Sequence, residues 1–388
     1  MKTSVPRPIE RTALVTGGTG LLGPWLVHAL LNQGYRKIFV LARAKGKTSA
    51  ENRVSEALKF CRNGREIRGA DKTVQVVCGD ICEPNLGLSL QLRNDLLRQI
   101  TDIFHTAART DLNAPLNALR LPNVVGAENV FRLALHGSQL NGHTIRVHHV
   151  SSVTVAGNLQ GWFSESQFSC SQRFHNAYEQ TKFEAEQLAL EYRNKGLNVA
   201  IYRPGIITGD SVRGTTSGFK VIYQPLRFLA HNLFNEWPAR EDAPLSLVPV
   251  DKVAEALCLL SWVEYPLRGA WHLVNPEDTT LGKLIDVGIQ VFGCHRPALI
   301  PAEHFNKSRF SLTQWRLIGP FVPYLNYRVR FSSSYTKEVL NKAGFKWPKM
   351  DSGMLGKLYR YCGNSGFIRP RSIVPARKTF SSIFGRTR

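Results

Sequence analysis

The stretch that decides the fold runs from Thr12 to Leu31 and reads TALVTGGTGLLGPWLVHALL. A short β-rich run leads into a cluster of glycines, and an apolar run with helical periodicity follows. The glycines at 17, 20 and 23 have the spacing G-x-x-G-x-x-G. A strand, a glycine turn and a helix in this order predict a dinucleotide site, because the helix N-terminus attracts the pyrophosphate charge.

Each glycine of this turn has its own predicted role. Gly17 allows a tight turn, Gly20 lets backbone N–H groups approach the pyrophosphate, and Gly23 lets the helix pack closely on the strand. The residues of the turn that we expect to touch the dinucleotide are Gly17, Thr19, Gly20, Leu21, Leu22 and Gly23.

Strand and helix signals alternate through the first half of the chain. The predicted strands cover about 12–17, 37–42, 73–79, 102–106, 144–151 and 198–203, and the predicted helices about 20–33, 49–62, 88–99, 113–139 and 176–195. Most of the strands are near-continuous apolar runs, which is typical of strands buried on both faces. The pattern predicts an α/β fold, a Rossmann-type doubly wound parallel sheet with a smaller C-terminal substrate-binding subdomain.

The alternation breaks at about residue 208, which suggests the domain boundaries. We predict a dinucleotide-binding domain over 10–207, with returns to its core at about 246–276. Residues 208–363 are then mainly the substrate-binding subdomain, and 364–388 a basic tail.

The charge of the chain is unusual. The 388 residues carry a formal net charge of +21, and no acidic residue follows Asp351. We interpret the basic tail as a solvated segment, with peripheral contact to an anionic membrane or to an acidic carrier protein as alternatives. No nucleic-acid-binding motif is present, so nucleic acid is not an expected partner.

Other bulk features point to a cytoplasmic protein. No apolar run approaches the ~18 residues of a membrane-spanning helix, and the N-terminus lacks the apolar segment of a signal peptide. The seven cysteines are scattered, which suggests reduced thiols. Since no His, Cys or carboxylate cluster has metal-ligand spacing, we expect no metal site.

The end of the second predicted strand is basic. Arg43 stands where a NAD-specific site usually has an acidic residue, and Arg53 follows ten positions later. A guanidinium can stack on adenine and pair with a 2′-phosphate, so NADP(H) is favoured over NAD(H). A solvated basic loop is the alternative interpretation.

Two later strand ends complete the predicted cofactor site. Asp80 and Ile81 follow the third strand, and Asp80 is a candidate for the adenine amino group. Ala107 and Ala108 follow the fourth strand and are small enough to let the cofactor approach.

Tyr178 and Lys182 are four residues apart in a predicted helix and therefore share one face. A nearby ammonium favours the phenolate of a tyrosine, whose ordinary pKa is about 10, and the lysine can hold the nicotinamide ribose.

Ser152, after the fifth strand, can donate to a carbonyl oxygen that Tyr178 protonates; its alternative role is to cap a turn. Asn123 either holds a water in a proton relay to Lys182 or simply packs.

These residues resemble the extended short-chain dehydrogenase/reductases over about 10–295. The arginine pair, the serine strand at 150–157 and the segment RPGIITGDS at 203–211 resemble one branch of them. That branch holds the thioester reductases: carboxylic acid reductase terminal domains, reductive-release domains of peptide and polyketide synthases, and male-sterility-type fatty acyl-CoA reductases. The branch usually carries Ser-Thr where this chain has Ser151-Ser152, so the hydroxyl is retained.

The resemblance implies hydride transfer from NADPH to an acyl thioester on coenzyme A or on an acyl-carrier protein. Ser152 and Tyr178 would stabilise the oxyanion, and collapse of the hemithioacetal would release an aldehyde, which a second reduction would convert to an alcohol. Further cofactor contacts implied are Pro204, Gly205 and Ile207, beside Tyr178 and Lys182. No adenylation or carrier domain precedes this segment in the sequence, so a free-standing reductase is expected.

Two other functions stay open at this point. The same scaffold serves sugar-nucleotide epimerases, dehydratases and 3β-hydroxysteroid-type dehydrogenases, although the first two usually retain NAD, against which the basic strand end argues. A non-catalytic NADP-binding regulator is the third hypothesis, but such proteins often lose the tyrosine or the lysine.

The aromatic residues after the alternating region have two interpretations. They either line an apolar tunnel for an acyl chain or form the core of the small subdomain. These residues are Phe219, Tyr223, Phe228, Phe234 and Trp237.

Overall fold

The computed structural model describes residues 11–64, 70–263, 269–277 and 279–369. Of the predicted basic tail, residues 370–388 lie outside the described residues. The strands are β1 (Thr12–Thr16), β2 (Lys37–Ala42), β3 (Val74–Cys78), β4 (Asp102–His105), β5 (Arg146–Val150), β6 (Gly161–Phe163), β7 (Val199–Pro204), β8 (Ile206–Thr208), β9 (Glu236–Pro238), β10 (Pro244–Leu245), β11 (Leu247–Pro249), β12 (Trp271–Leu273), β13 (Thr279–Thr280), β14 (Ala298–Ile300) and β15 (Val329–Phe331).

The α-helices alternate with these strands in the first half of the chain. They are α1 (Gly23–Asn32), α2 (Ala50–Cys61), α3 (Ala70–Thr73), α4 (Leu90–Gln99), α5 (Leu116–Arg120), α6 (Gly126–Asn141), α7 (Ala177–Asn194), α8 (Tyr223–Ala230), α9 (Val250–Leu260), α10 (Leu281–Phe292), α11 (Leu312–Ile318), α12 (Val322–Leu325), α13 (Ser334–Lys342) and α14 (Ser352–Asn364). None of the helices in the described part of the chain is long and apolar enough to cross a membrane.

Within the described residues, a parallel sheet of seven strands has the order β12-β7-β5-β4-β1-β2-β3. In the middle of the sheet, Val15 of β1 lies opposite Val40 of β2 on one side and Phe104 of β4 on the other. The chain builds β2 and β3 outward from β1 and then returns to place β4 on the other side. The topological switch point is therefore between β1 and β4, where such sheets bind ligands at their carboxyl edge.

Alternate residues of β1 face two different helical layers. Ala13 and Val15 belong to a buried cluster with α1 and α9, whereas Leu14 packs in a cluster with α4, α6 and α7. All three side chains are fully buried. Because successive strand residues point to opposite faces, both faces are covered, and the predicted doubly wound α/β fold is confirmed.

A second core lies in the C-terminal part, where α8, α10 and α14 pack together through residues such as Leu229, Ile285 and Leu355. The predicted return to the main core also occurs, since Trp271 of β12 pairs with Tyr202 of β7. Helix α13 packs against α9 and β12 as well, through Leu340. The division into domains stays a prediction.

Two helices depart from the predicted boundaries. Helix α1 begins at Gly23 rather than near residue 20, because the preceding residues form the turn. The single helix predicted over 113–139 is interrupted between α5 and α6 by a wide π-helical turn at Leu121–Val125. Pro122 lies in this turn, and since proline lacks an N–H it cannot continue a regular α-helix there.

Candidate active site

The glycine turn lies at the carboxyl end of β1, beside the switch point. Gly17 has a φ of +76°, and a Cβ there would lie 2.7 Å from the backbone nitrogen of Ala107. The N–H of Gly20 donates to the carbonyl of Gly17 at 2.9 Å. A Cβ on Gly23 would lie 2.2 Å from that same carbonyl oxygen, so the close approach that requires Gly23 is to the turn itself.

The first turn of α1 fits a phosphate ligand. Leu22 precedes the helix and supplies no side-chain cap, and the first turn contains no acidic residue. The backbone N–H groups of this turn therefore keep their hydrogen-bonding capacity for an anion, and the helix dipole favours negative charge there. Leu22 itself is buried against the core, whereas Leu21 is partly buried.

A cluster of polar side chains joins the carboxyl ends of β1, β2 and β3. The guanidinium of Arg53 donates to the carbonyl of Arg43 at 2.5 Å and to the hydroxyl of Thr19 at 3.1 Å. Arg43 forms an ion pair with Asp80 at 3.1 Å. Although burial opposes the shift, the Cys82 N–H and the Arg43 guanidinium hold the pKa of Asp80 below its usual range. The structure thus brings together three residues predicted for the adenosine end of the cofactor, Arg43, Arg53 and Asp80, and connects them to Thr19 of the glycine turn.

The remaining predicted cofactor residues lie along the same edge. Ile81 is buried in the core, and its carbonyl accepts a hydrogen bond from Asn129 at 2.9 Å. Ala107 packs against the glycine turn, and Ala108 follows it in the same loop. After β7, a Cβ on Gly205 would lie 2.4 Å from the carbonyl of Ser246.

Gly205 directly precedes β8, which pairs with β11, and in this pair Ile207 lies opposite Val248. Pro204 ends β7 and lies opposite Leu273 of β12. Pro204 therefore lies at the carboxyl end of β7, and Ile207 follows it in β8.

The predicted catalytic residues converge where β5 ends and α7 begins. The ammonium of Lys182 is buried and donates to the carbonyl of Val150 at 2.7 Å. Burial lowers the pKa of Lys182 to about 8. The hydroxyl of Ser152 accepts hydrogen bonds from the N–H and the hydroxyl of Thr154, at 3.2 and 2.9 Å.

The pKa of Tyr178 is shifted in the opposite direction to the one predicted from the nearby Lys182. Burial raises the pKa of Tyr178 to about 12, against the opposing effect of its hydrogen bond with Ser152. The expected lowering of this pKa by Lys182 is therefore not found, because the loss of hydration destabilises the phenolate by more than the hydrogen bond with Ser152 stabilises it. In this state the hydroxyl of Tyr178 is neutral at physiological pH.

Asn123 lies in the π-helical turn, and both its amide oxygen and its amide nitrogen are hydrogen-bonded. Its oxygen accepts from the N–H of Arg109 at 2.8 Å, and its nitrogen donates to the carbonyl of Arg109 and to the hydroxyl of Thr181, at 3.1 and 3.0 Å. Asn123 thereby ties the loop after β4 to the helix that carries Tyr178 and Lys182. Its predicted role in holding a water stays a prediction.

A buried ion pair that the sequence did not single out supports α7. Glu186 and Arg203 are almost fully buried and meet through hydrogen bonds of 2.8 to 3.2 Å. Glu186 follows Lys182 by four residues, so the pair anchors the face of α7 that carries Lys182 to β7. The spacing of Tyr178, Lys182 and Glu186 was the signal that could have revealed it.

A second missed group surrounds the N-terminus of α7. The carboxylate of Glu179 is fully buried and accepts from the hydroxyl of Tyr324 at 2.6 Å. It also accepts from the backbone N–H and the ring of His175, at 2.8 and 3.0 Å. Tyr324 lies 145 positions further along the chain, and no local sequence pattern could have linked it to this helix.

An apolar cavity lies in the C-terminal core, and Tyr324 is part of its lining. Its volume, including the part open to solvent, is about 500 Å³. Ile206, which follows the predicted cofactor residue Gly205, and Tyr324 both line it. The lining residues are Ile206, Val221, Ile222, Pro225, Leu226, Leu229, Trp237, Leu245, Leu281, Leu284, Ile285, Phe321, Tyr324, Leu325 and Tyr359.

The five aromatic residues predicted to line an acyl tunnel or to form a small core do not all have the same role. Trp237 lines the cavity, whereas Tyr223, Phe228 and Phe234 are buried in the small core and do not line it. Phe219 stacks on Phe367 with ring centroids 4.2 Å apart.

The buried histidines His105 and His148 are hydrogen-bonded to neighbouring side chains in the sheet. His105 accepts or donates a hydrogen bond with Thr16 at 2.8 Å, and His148 contacts Asp102 at 3.0 Å. Burial lowers the pKa of His105 to about 3, so it is neutral at physiological pH. Across the ranges described by the structure, no group of three or more His, Cys, Asp or Glu could hold a metal ion.

Comparison with known proteins supplies the family. Residues 15–257 match a family model named for NAD binding and described as male sterility protein. The chain belongs to this family. The predicted likeness to the extended short-chain dehydrogenase/reductases and their thioester reductase branch is confirmed, and the fold is that of a nicotinamide-dependent oxidoreductase.

Relatives of this family member are found inside large synthetases. It is 29% identical over 386 residues to a linear gramicidin synthase of Brevibacillus parabrevis. That match covers 92% of this chain and 7% of the relative, so the chain spans a small part of the curated protein.

Solved structures of reductase domains share the fold over nearly the whole chain. The terminal R domain from the myxalamid PKS-NRPS pathway is 26% identical with a TM-score of 0.80, covering 94% of this chain and 93% of that one. A thiolation-reductase di-domain from an archaeal non-ribosomal peptide synthetase is 19% identical with a TM-score of 0.74, covering 93% and 77%. The second likeness shows the fold alone.

Proposed function

We propose that this protein is an NADPH-dependent reductase that converts an acyl thioester to an aldehyde. The observation that carries the proposal is the convergence of Ser152, Tyr178 and Lys182 at the carboxyl edge of the sheet. An apolar cavity is linked to this group through Tyr324, which lines the cavity and is hydrogen-bonded to Asn176 and Glu179 on either side of Tyr178. Two hydroxyls can serve one carbonyl oxygen there, and the apolar lining of the cavity suits an acyl chain.

NADPH, when bound along the glycine turn, would supply the hydride. The hydroxyls of Ser152 and Tyr178 donate to the thioester oxygen, where negative charge develops as the hydride reaches the carbonyl carbon. Tyr178 then gives that oxygen its proton, and Lys182 holds the ribose and restores the proton. The hemithioacetal then loses its hydroxyl proton as the C=O bond re-forms and the C–S bond breaks; the sulfur takes up that proton and leaves as a thiol, and the aldehyde remains.

The preference for NADP(H) rests on the arginine pair. Arg53 is oriented by Thr19 and by the carbonyl of Arg43, so its guanidinium is held at the end of β2 before a ligand arrives. A 2′-phosphate on the adenosine ribose would complete this cluster with charge-assisted hydrogen bonds.

The thioester is proposed to arrive on coenzyme A or on an acidic carrier protein. Support comes from the relatives, one of which is a peptide synthase and another a thiolation-reductase di-domain. The charge of +21 would favour an acidic partner electrostatically.

The test is NADPH consumption with a panel of acyl-CoA and acyl-carrier-protein substrates, followed by product analysis for aldehyde and alcohol. We expect turnover with wild-type protein and its loss in Tyr178→Phe, which retains NADPH affinity. A protein that binds NADPH but reduces no thioester in the panel would refute the proposal.

A further inference from the structure

The first turn of α7 is held from outside the helix. Asn176 caps the helix by accepting from the N–H of Glu179 at 3.1 Å, and Tyr178 lies between these two residues. Helix ends lack intrahelical partners and are the first parts of a helix to open. A catalytic tyrosine in such a turn needs further contacts to stay in one position.

One hydroxyl supplies two of those contacts. Tyr324 donates to the carboxylate of Glu179 at 2.6 Å and accepts from the amide of Asn176 at 2.7 Å. It therefore bridges the residues on both sides of Tyr178. Glu179 is fully buried and Tyr324 is 8% exposed, so water competes little for these hydrogen bonds.

Tyr324 comes from a part of the chain far from α7 in sequence. It lies in α12, in the C-terminal part of the chain, and lines the apolar cavity together with Phe321 and Leu325. The wall of the cavity and the first turn of the catalytic helix therefore share one side chain.

We propose that Tyr324 is a positioning residue for Tyr178: its hydroxyl clasps the first turn of α7 and makes the placement of the catalytic tyrosine depend on the substrate-side subdomain. The inference rests on the proposed function for the role of Tyr178, but the clasp itself is a property of the fold. Tyr324 acts through Glu179 and Asn176 and does not take part in proton transfer.

The chain contains a matched control three residues away. Tyr327 is 9% exposed and its ring centroid lies 6.2 Å from that of Tyr324, but its buried hydroxyl has no hydrogen-bond partner among the described residues. Tyr324→Phe and Tyr327→Phe therefore remove the same atom from neighbouring buried rings, and only the first removes the clasp.

The experiment compares both variants with wild type by steady-state kinetics, with the active fraction fixed by NADPH titration. We expect Tyr324→Phe to lower kcat on the order of 10- to 100-fold, as small misplacements of catalytic groups do, with the KM for NADPH unchanged. Tyr327→Phe should retain kcat. Equal kcat values in the two variants would overturn the proposal.

Hydrogen exchange tests the clasp without any turnover. We expect the backbone amides of residues 179–182 to exchange about 10-fold faster in Tyr324→Phe and at the wild-type rate in Tyr327→Phe; unchanged exchange in both would overturn the clasp. If the wild type reduces no thioester, the proposed function fails while this measurement still decides the clasp.

A second variant covers the case in which Tyr324→Phe does not fold. Asn176→Ser keeps a good N-cap but removes the amide that donates to Tyr324. It should accelerate exchange in the same turn, and wild-type exchange there would count against the proposal.

Discussion

Removing the guanidinium of Arg43 should change the choice between NADPH and NADH. In the structure this side chain is 64% exposed and pairs with Asp80 at 3.1 Å. Hydrogen bonds to a charged group contribute about 1.5–3 kcal/mol. Because Arg43 is largely exposed, screening places it at the lower end, which corresponds to about a 10-fold loss of affinity for NADPH.

The same change should leave NADH binding intact or improve it. Without Arg43, the carboxylate of Asp80 loses its ion-pair partner and becomes available to ribose hydroxyls, the role that acidic residues play in NAD-specific sites. Arg53→Ala should cost more, up to about 100-fold for NADPH, because Arg53 is held in place by Thr19 and by the carbonyl of Arg43.

The assay measures dissociation constants of both nucleotides by fluorescence titration for wild type, Arg43→Ala, Arg53→Ala and Lys59→Ala. Lys59 is an exposed basic residue in the last turn of α2, the helix that carries Arg53, and it controls for general electrostatic attraction. The reasoning is refuted if Arg43→Ala weakens NADPH and NADH equally, or if Lys59→Ala has the same effect on NADPH.

Three further predictions concern the glycine turn and helix α7. Gly23→Ala should abolish nucleotide binding, since its Cβ would lie 2.2 Å from the Gly17 carbonyl, whereas Gly363→Ala, with nothing within 4 Å, should bind normally in the same titration. Because burial lowers the folded-state pKa of Lys182 to about 8, the folded protein binds fewer protons than the unfolded chain between about pH 8 and 10.4. The unfolding free energy of wild type should therefore rise by about 3 kcal/mol relative to Lys182→Met between pH 7 and 10.5; parallel denaturation curves for the two proteins at both pH values would contradict this. Glu186→Gln should lower the unfolding free energy by about 3 kcal/mol or more, because it leaves the Arg203 charge buried without its partner, and an unchanged urea midpoint would show that the pair does not anchor α7.

The features that could be predicted are those encoded over a few residues. The glycine turn is recognisable because the conformation at Gly17 and the close approach at Gly23 both arise within one strand-turn-helix unit. Tyr178 and Lys182 are recognisable because a spacing of four places them on one helical face. The parallel sheet followed from apolar runs alternating with amphipathic segments.

The features that could not be predicted depend on surroundings that local patterns do not describe. The pKa of Tyr178 is set by burial, which outweighs the nearby ammonium that spacing alone brought to attention. Pro122 is a local signal for the π-helical turn, but the contact of Asn123 with the Arg109 backbone comes from another loop and no local pattern describes it.

By itself, then, the sequence determined the dinucleotide-binding α/β fold, the position of the glycine turn, and the placement of Tyr178 and Lys182 on one helix face. Each of these features depends on residues that are close neighbours along the chain. Only the tertiary structure decided how α7 is held: by Arg203 through Glu186, and by the hydroxyl of Tyr324, 145 residues beyond Glu179. Packing is what brings such distant groups into a dry environment, and there a single hydrogen bond or ion pair becomes strong enough to place a catalytic side chain.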